Sequence, residues 1–126
     1  MKKQLINTPD APQPIGPYSQ AIITGDLIFI SGQIAIDPTG EKEIMTGIKE
    51  EAKQVMENLK SILSSAGVDF SHVVKTTIYL TDMNHFAIVN EIYGSYFTSD
   101  FPARETVEVA RLPKDYNVEI SMIAQL

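Results

Sequence analysis

The apolar run Leu27-Ile28-Phe29-Ile30 is the feature that most constrains the fold of this chain. Successive side chains of a β-strand point to opposite faces of the sheet, so a strand with this sequence is apolar on both faces. Both faces of its sheet then need cover, because large apolar patches are rarely left exposed to water. The rest of the sequence indicates which elements cover the two faces of the sheet.

One cover is an amphipathic helix that we predict between Gly47 and Gly67. Its apolar residues recur at three- and four-residue steps, which places them on one side of a helix. They are Ile48, Ala52, Val55, Leu59, Ile62, Leu63 and Ala66. Gly67 is a typical C-terminal stop. A second helix is predicted to begin after Asn84 as its N-cap. Its inward-facing residues are predicted to be Phe86, Val89, Tyr93 and Tyr96 or Phe97.

The predicted strands precede, separate and follow these helices. The first lies at residues 3–7, and the next two meet at a Gly25-Asp26 hairpin turn, with the return strand running on to residue 37. A strand rich in β-branched residues is predicted at residues 73–80. Two alternating runs within residues 101–120 predict a closing hairpin around a Pro-Lys-Asp turn.

This order of elements predicts a single α+β domain that spans residues 1–126. Two helices are enough to cover one face of a sheet of about six strands, but they cannot cover both faces. A second copy of the chain is the simplest cover for the other face. We therefore predict a homo-oligomer in which strands or their ends meet at the subunit interfaces.

The composition excludes several classes of function. The net charge is −6, and the lysines are dispersed apart from Lys2 and Lys3, so no basic patch favours binding to nucleic acid. No apolar run approaches the roughly 18 residues of a membrane span and no signal peptide is recognisable, so we expect a cytoplasmic protein without membrane contact. The chain has no cysteine and only two histidines, which argues against disulfides, metal sites and His-based triads. Phosphate-loop and dinucleotide-binding motifs are absent.

Arg104 and Arg111 are the only arginines in the chain. A guanidinium holds a carboxylate through two parallel hydrogen bonds, which suits the binding of a small acid. Arg104 follows Pro102-Ala103 at the start of a predicted strand, where its side chain can point into a cleft. A substrate clamp and a structural ion pair are both open interpretations. Arg111 lies seven positions further on, and in a regular strand that odd spacing puts it on the opposite face.

Glu119 lies between the apolar residues Val118 and Ile120. A carboxylate in an apolar strand is costly to bury unless it has a partner or a task. One interpretation is an outward-facing residue on a half-exposed strand. The other is a general base, whose pKa is raised by burial and lowered by a nearby cation. Taken with Arg104, Glu119 indicates a small-molecule site built on strands.

Tyr18, Ser31 and Gly32 are candidates to line that site. Tyr18 could donate a hydrogen bond at the mouth of a pocket, or it could be a packed aromatic side chain. Ser31 and Gly32 interrupt an apolar strand, a position typical of a β-bulge or of a ligand that approaches the backbone. The Ser31 hydroxyl could donate to a bound carboxylate beside the Gly32 N–H.

Thr106 and Asn90 are candidates because of their position relative to Arg104. Thr106 alternates with Arg104 in the predicted strand, so the two side chains should share a face of the sheet. Asn90 belongs to the second predicted helix, and it either lines the site or lies on the surface.

Four motifs together resemble the RidA/YjgF family of reactive-intermediate deaminases. They are Gly16-Pro17-Tyr18-Ser19-Gln20, Ser31-Gly32-Gln33, Pro102-Ala103-Arg104 and Val107-Glu108-Val109-Ala110-Arg111-Leu112-Pro113-Lys114. The resemblance covers essentially the whole chain, and the last motif is highly specific. Older labels for the same family are L-PSP endoribonuclease and translation-initiation inhibitor.

The resemblance implies a chorismate-mutase-like fold, with a mixed six-stranded sheet and two helices on one face, assembled as a homotrimer with clefts between subunits. It implies cofactor-independent hydrolysis of 2-aminoacrylate-type enamines and 2-imino acids to 2-keto acids and ammonia. Such intermediates leak from pyridoxal-phosphate-dependent dehydratases, which links the family functionally to those enzymes.

The resemblance also implies roles for individual residues. The arginine matching Arg104 binds the substrate carboxylate, and the glutamate matching Glu119 positions or activates water. The matches of the remaining candidates line the same pocket: Tyr18, Ser31, Gly32 and Asn90.

Two positions depart from the family pattern. Many members have cysteine where this chain has Thr106, and many have glutamate where it has Ser121. Threonine keeps a hydrogen-bond donor at the first position, and Glu119 is retained. Two other functions stay open on sequence alone: an endoribonuclease or translation inhibitor, and a non-catalytic regulator that binds small carboxylates.

Overall fold

A computed structural model of the chain describes residues 2–42, 44 and 46–126. It has a mixed six-stranded sheet with two α-helices on one face, which confirms the predicted α+β architecture. The strands are β1 (Gln4–Ile6), β2 (Ala21–Thr24), β3 (Leu27–Gln33), β4 (Val73–Leu80), β5 (Ala103–Glu108) and β6 (Val118–Gln125). The helices are α1 (Ile48–Ser65) and α2 (Phe86–Gly94).

The strands lie side by side in the order β1-β2-β3-β6-β4-β5. All neighbouring pairs are antiparallel except β4 and β5, which are parallel. The central strand β6 buries Val118, Ile120, Met122 and Ala124 beneath the helices, each at most 2% exposed. These alternate positions build the apolar core between the sheet and α1.

Helix α1 is as the apolar periodicity predicts. Val55, Leu59 and Ile62 are fully buried, and Gly67 follows the helix with a φ of +81°, a conformation that favours glycine. Within residues 2–42, 44 and 46–126, no helix is long and apolar enough to cross a membrane.

The other face of the sheet keeps apolar side chains on the surface of the single chain. Leu27 and Phe29 point to this face and are 38% and 43% exposed, while Ile28 and Ile30, which alternate with them, are buried. The both-face apolar character predicted for this strand is therefore confirmed. The helices cover one side of β3 only.

The predicted C-terminal hairpin is wrong. β5 pairs with β4 at the edge of the sheet, and the chain then passes beyond β4 to insert β6 between β3 and β4. The physical reason is apolarity, because β6 has four fully buried positions whereas β5 carries charged and exposed ones. The more apolar strand takes the centre. The Pro-Lys-Asp segment forms a 3-10 turn at Pro113–Asp115 in this connection.

Two local predictions also need correction. The return strand ends at Gln33 instead of continuing to residue 37. Asn84 does not cap the second helix, because it lies inside a 3-10 turn at Met83–His85 whose N-cap is Asp82. The Asp82 carboxylate accepts a hydrogen bond from the Asn84 backbone N–H at 2.9 Å.

Candidate functional site

One cavity, of about 380 Å³, contains Glu119 and three of the other predicted site residues. Strand β3 supplies two of them, and β6 supplies Glu119 from the neighbouring position in the sheet. The residues lining the cavity are Ile15, Tyr18, Ser31, Gly32, Ile34, Pro113 and Glu119. The cavity is thus apolar around a single carboxylate.

Gly32 makes room for the Glu119 side chain. The register between β3 and β6 breaks between Ile30 and Gln33, which confirms a β-bulge at this glycine. A Cβ at position 32 would lie 2.8 Å from the Glu119 Cδ and 3.0 Å from its Cγ. Any residue larger than glycine would therefore displace the carboxylate.

The Glu119 carboxylate has an electrostatic environment suited to a base. Burial raises the pKa of this carboxyl above its ordinary value. Within the described parts of the chain, no cation pairs with it and no donor bonds to it. A carboxylate with a raised pKa and free lone pairs can accept a proton from a water molecule.

Ser31 and Tyr18 line the same cavity as this carboxylate, and their hydroxyl groups make different hydrogen bonds. The Ser31 hydroxyl donates to the Ser19 carbonyl oxygen at 2.6 Å, so its proton is committed within the protein and the predicted donation to a ligand is not available in this arrangement. The Tyr18 hydroxyl accepts from the Ile15 N–H at 3.3 Å, which leaves its own proton available to a ligand.

A second cavity, of about 460 Å³, contains Arg104 and Asn90. It lies where the edge strand β5 meets α2. Its lining residues are Asn90, Tyr93, Gly94, Phe101, Pro102 and Arg104. Its charge and aromatic walls suit the carboxylate end of a small organic acid.

Arg104 is held in place by α2. One guanidinium nitrogen donates to the Asn90 side-chain oxygen at 2.7 Å, and the guanidinium carbon lies 5.2 Å from the Tyr93 ring centre and 5.7 Å from that of Phe86. No carboxylate in the described chain pairs with it. The remaining N–H groups are therefore available to an external carboxylate.

Tyr93 is a site residue that the sequence did not reveal as one. Its hydroxyl donates to Thr76 at 2.9 Å, which fixes the ring beneath the guanidinium. Burial, the largest of the influences on it, raises the pKa of this phenol, so it remains protonated. The helical periodicity predicts that Tyr93 faces the sheet. It does not predict that Arg104 is the residue that Tyr93 meets there.

Thr106 lies on the same face of β5 as Arg104, as predicted. It pairs with Ile78 two positions along from the Arg104–Thr76 pair. Thr106 lines neither cavity, and its hydroxyl oxygen is buried without a partner in the described residues. Arg111 also lines neither cavity, because it lies beyond β5 and pairs with Asp115 at 2.7 Å.

The two cavities open on opposite faces of the sheet. Strand β4 pairs with β6 along one edge and with β5 along the other. Glu119 of β6 is opposite Tyr79, and Arg104 of β5 is opposite Thr76. Those two β4 residues are three positions apart, so their side chains and those of their partners point to opposite faces. One chain therefore cannot bring Arg104 and Glu119 to the same small ligand.

Comparison with known proteins identifies the family. A sequence profile described as "Endoribonuclease L-PSP" matches residues 8–126. The chain belongs to the RidA/YjgF family. The resemblance drawn from its four motifs is thereby confirmed, and the similarity to solved structures confirms the YjgF-like fold.

Relatives within the RidA/YjgF family carry more than one kind of name. A RutC family protein of Pyrococcus horikoshii is 52% identical over 122 residues, which cover 97% of each chain. The human 2-iminobutanoate/2-iminopropanoate deaminase is 50% identical over 122 residues, covering 97% of this chain and 89% of the human protein. The crystal structure of E. coli TdcF with bound serine is 40% identical, with a TM-score of 0.93 and 98% of each chain covered.

Proposed function

We propose that this protein hydrolyses 2-aminoacrylate-type enamines and their 2-imino acid tautomers to 2-keto acids and ammonia. The observation that carries the proposal is a pair of complementary charges without ion-pair partners in the described chain: the Arg104 guanidinium and the half-buried Glu119 carboxylate. A 2-imino acid needs a cation for its carboxylate and a base for the attacking water. The deaminase name of the human relative and the serine bound to the E. coli relative support a ligand of this kind.

The active assembly in this proposal is a homotrimer with the site between subunits. Arg104 and Glu119 lie on opposite faces of the sheet, so one subunit supplies the guanidinium and its neighbour supplies the carboxylate. The exposed apolar face that carries Leu27 and Phe29 supplies contact surface between copies.

In the proposed reaction Arg104 fixes the substrate carboxylate through two hydrogen bonds. Glu119 removes a proton from water as the water oxygen bonds to C2 and the C=N electron pair moves to nitrogen. The protonated Glu119 then returns its proton to that nitrogen. The proton of the new hydroxyl also passes to this nitrogen, so the C–N bond breaks while the hydroxyl oxygen becomes a carbonyl, and ammonia and the 2-keto acid are released. The substrates would be supplied by pyridoxal-phosphate-dependent dehydratases acting on serine and threonine.

The proposal is tested by generating 2-aminoacrylate in place with a serine dehydratase and following keto-acid release with and without the protein. We expect the protein to accelerate release above the spontaneous rate, in proportion to its concentration. Binding of a 2-keto acid without acceleration would favour a non-catalytic regulator. RNA binding by highly purified protein that weakens as salt is raised would favour the endoribonuclease interpretation.

Replacing Gly32 by alanine is expected to lower kcat about 10- to 100-fold, because the added Cβ displaces the Glu119 carboxylate. The matched control is a double-variant cycle, in which Gly32→Ala is combined with Glu119→Ala and keto-acid release is measured for all four proteins. We expect Gly32→Ala to have no further effect once Glu119 is gone. An equal loss in both backgrounds would show that Gly32 acts in some other way.

A further inference from the structure

Glu51 is a buried charged group that the proposed reaction does not use. Its side chain lies in the first turn of α1 and is 1% exposed. No cation of the described residues pairs with it. A buried carboxylate is costly unless hydrogen bonds compensate for the lost water, so the contacts that Glu51 makes indicate its task.

Both hydrogen bonds to Glu51 come from Asn117. The Asn117 backbone N–H donates to Oε1 at 2.9 Å, and its side-chain amide donates to Oε2 at 2.5 Å. The position of the carboxylate in the first turn of a helix adds a favourable interaction with the helix dipole. One residue of the connection between β5 and β6 is therefore held by two charge-assisted hydrogen bonds.

Asn117 is also bonded to the end of β4. Its backbone oxygen accepts from the Thr81 N–H at 3.2 Å, and its side-chain oxygen accepts from the Thr81 hydroxyl at 3.3 Å. The residue is thus fixed from the helix and from the sheet at once. Strand β6 begins at the next residue, Val118.

Glu119 itself is restrained by the sheet on one side only. Its backbone lies opposite Tyr79 of β4, but the regular pairing of β6 with β3 stops at Ile120 and Gln33. Where pairing with β3 is missing, the position of Glu119 depends more strongly on how the residues just before it are held. Asn117 is two residues before Glu119, about 7 Å along an extended strand.

We propose that Glu51 is a positioning residue for Glu119, acting through Asn117 to fix the entry of β6 and thereby the carboxylate against Gly32. The inference rests on the proposed function for its kinetic consequence only. The placement itself is a statement about the free protein, and it has a readout that needs no substrate.

The test is Glu51→Gln, which keeps the shape of the side chain. An amide oxygen accepts from one of the two Asn117 donors, and the amide nitrogen then faces the other donor. We expect kcat for imine hydrolysis to fall about 10- to 100-fold, with KM changed less than about twofold, because misplacement affects the water-activating group and leaves the Arg104 cavity intact.

The second readout is the titration of the Glu119 side-chain carboxyl by carbon-13 NMR. In Glu51→Gln we expect the pKa of Glu119 to move down toward the ordinary glutamate value, because a displaced carboxylate is better hydrated. This result is expected even if the protein hydrolyses no imine, so it separates failure of the positioning role from failure of the proposed function.

Ala52→Gly is the matched control, because it weakens α1 at the neighbouring buried position and removes none of the hydrogen bonds of Asn117. We expect it to lower the melting temperature and to leave kcat and the Glu119 titration unchanged. If Glu51→Gln does not fold, Thr81→Val removes one of the other Asn117 bonds and should move both readouts in the same direction, by a smaller amount. A wild-type Glu119 titration in folded Glu51→Gln, or in Thr81→Val where it replaces that variant, would overturn the inference.

Discussion

Replacing Arg104 by alanine is expected to abolish most imine hydrolysis while the oligomer persists. Truncating one side of a hydrogen-bonded charge contact in a site costs about 2–5 kcal/mol. That loss corresponds to a decrease in kcat/KM of about 30-fold to several thousand-fold. The measurement is keto-acid release from 2-aminoacrylate, with the assembly state checked by sedimentation.

Two controls separate the role of the Arg104 fork from the loss of a positive charge. Arg104→Lys keeps the charge without the planar pair of donors, and an intermediate activity is expected. Arg111→Ala removes the only other arginine, whose ion pair with Asp115 is exposed and screened by solvent, and near-normal activity is expected. A fully active Arg104→Ala protein would refute the assignment.

Replacing Glu119 by glutamine is expected to lower kcat about 10²- to 10⁴-fold, the usual contribution of a general base. The substitution preserves size, so the cavity and the assembly should persist. In the wild type, activity should fall as the pH drops through the Glu119 pKa, which burial places above the ordinary glutamate value. The acid limb of the pH profile should therefore lie higher than that of an exposed carboxyl, and it should be absent in the residual activity of the glutamine variant.

Glu119→Gln, which is expected to lower activity, is expected to stabilise the folded protein at neutral pH. A raised pKa means that the folded protein binds this proton more tightly than the unfolded chain does. The favourable contribution of Glu119 to folding is therefore present in acid and is lost as the pH rises through the raised pKa. Glu119→Gln should raise the melting temperature at neutral pH, and the difference should disappear on acidification. A lower melting temperature for Glu119→Gln than for the wild type at neutral pH would contradict a Glu119 pKa raised by burial.

The fold was predictable where the signal is local. Helix α1 lies between two glycines with apolar residues at helical spacing, and β4 is a run of β-branched residues, so both follow from short stretches of sequence. The partner of a strand is not local information. The alternating apolar and polar residues of β5 and β6 fit a hairpin. The strand β6 instead lies between β3 and β4, because its apolar side chains are buried there.

The candidate site was predictable to the extent that its chemistry is carried by rare residue types. Arg104 and Glu119 stand out as candidates because a cation and an isolated carboxylate in strands need an explanation. Gly32 stands out as a break in an apolar run, although its close approach to Glu119 depends on the β-bulge. Glu51 does not stand out in the sequence, because a glutamate in the first turn of a helix is ordinary, and the role that we propose for it rests on its burial against Asn117.

The central claim is that one site is shared by two subunits, and mixing two inactive variants tests it most directly. Arg104→Ala and Glu119→Gln subunits are unfolded together in equal amounts, reassembled and assayed for keto-acid release, with each variant reassembled alone as the control. If each cleft takes Arg104 from one subunit and Glu119 from its neighbour, about one cleft in four is intact after random mixing. We therefore predict about a quarter of the wild-type activity. Mixed oligomers, verified by mass spectrometry, with no more activity than the two variants alone would contradict the shared site.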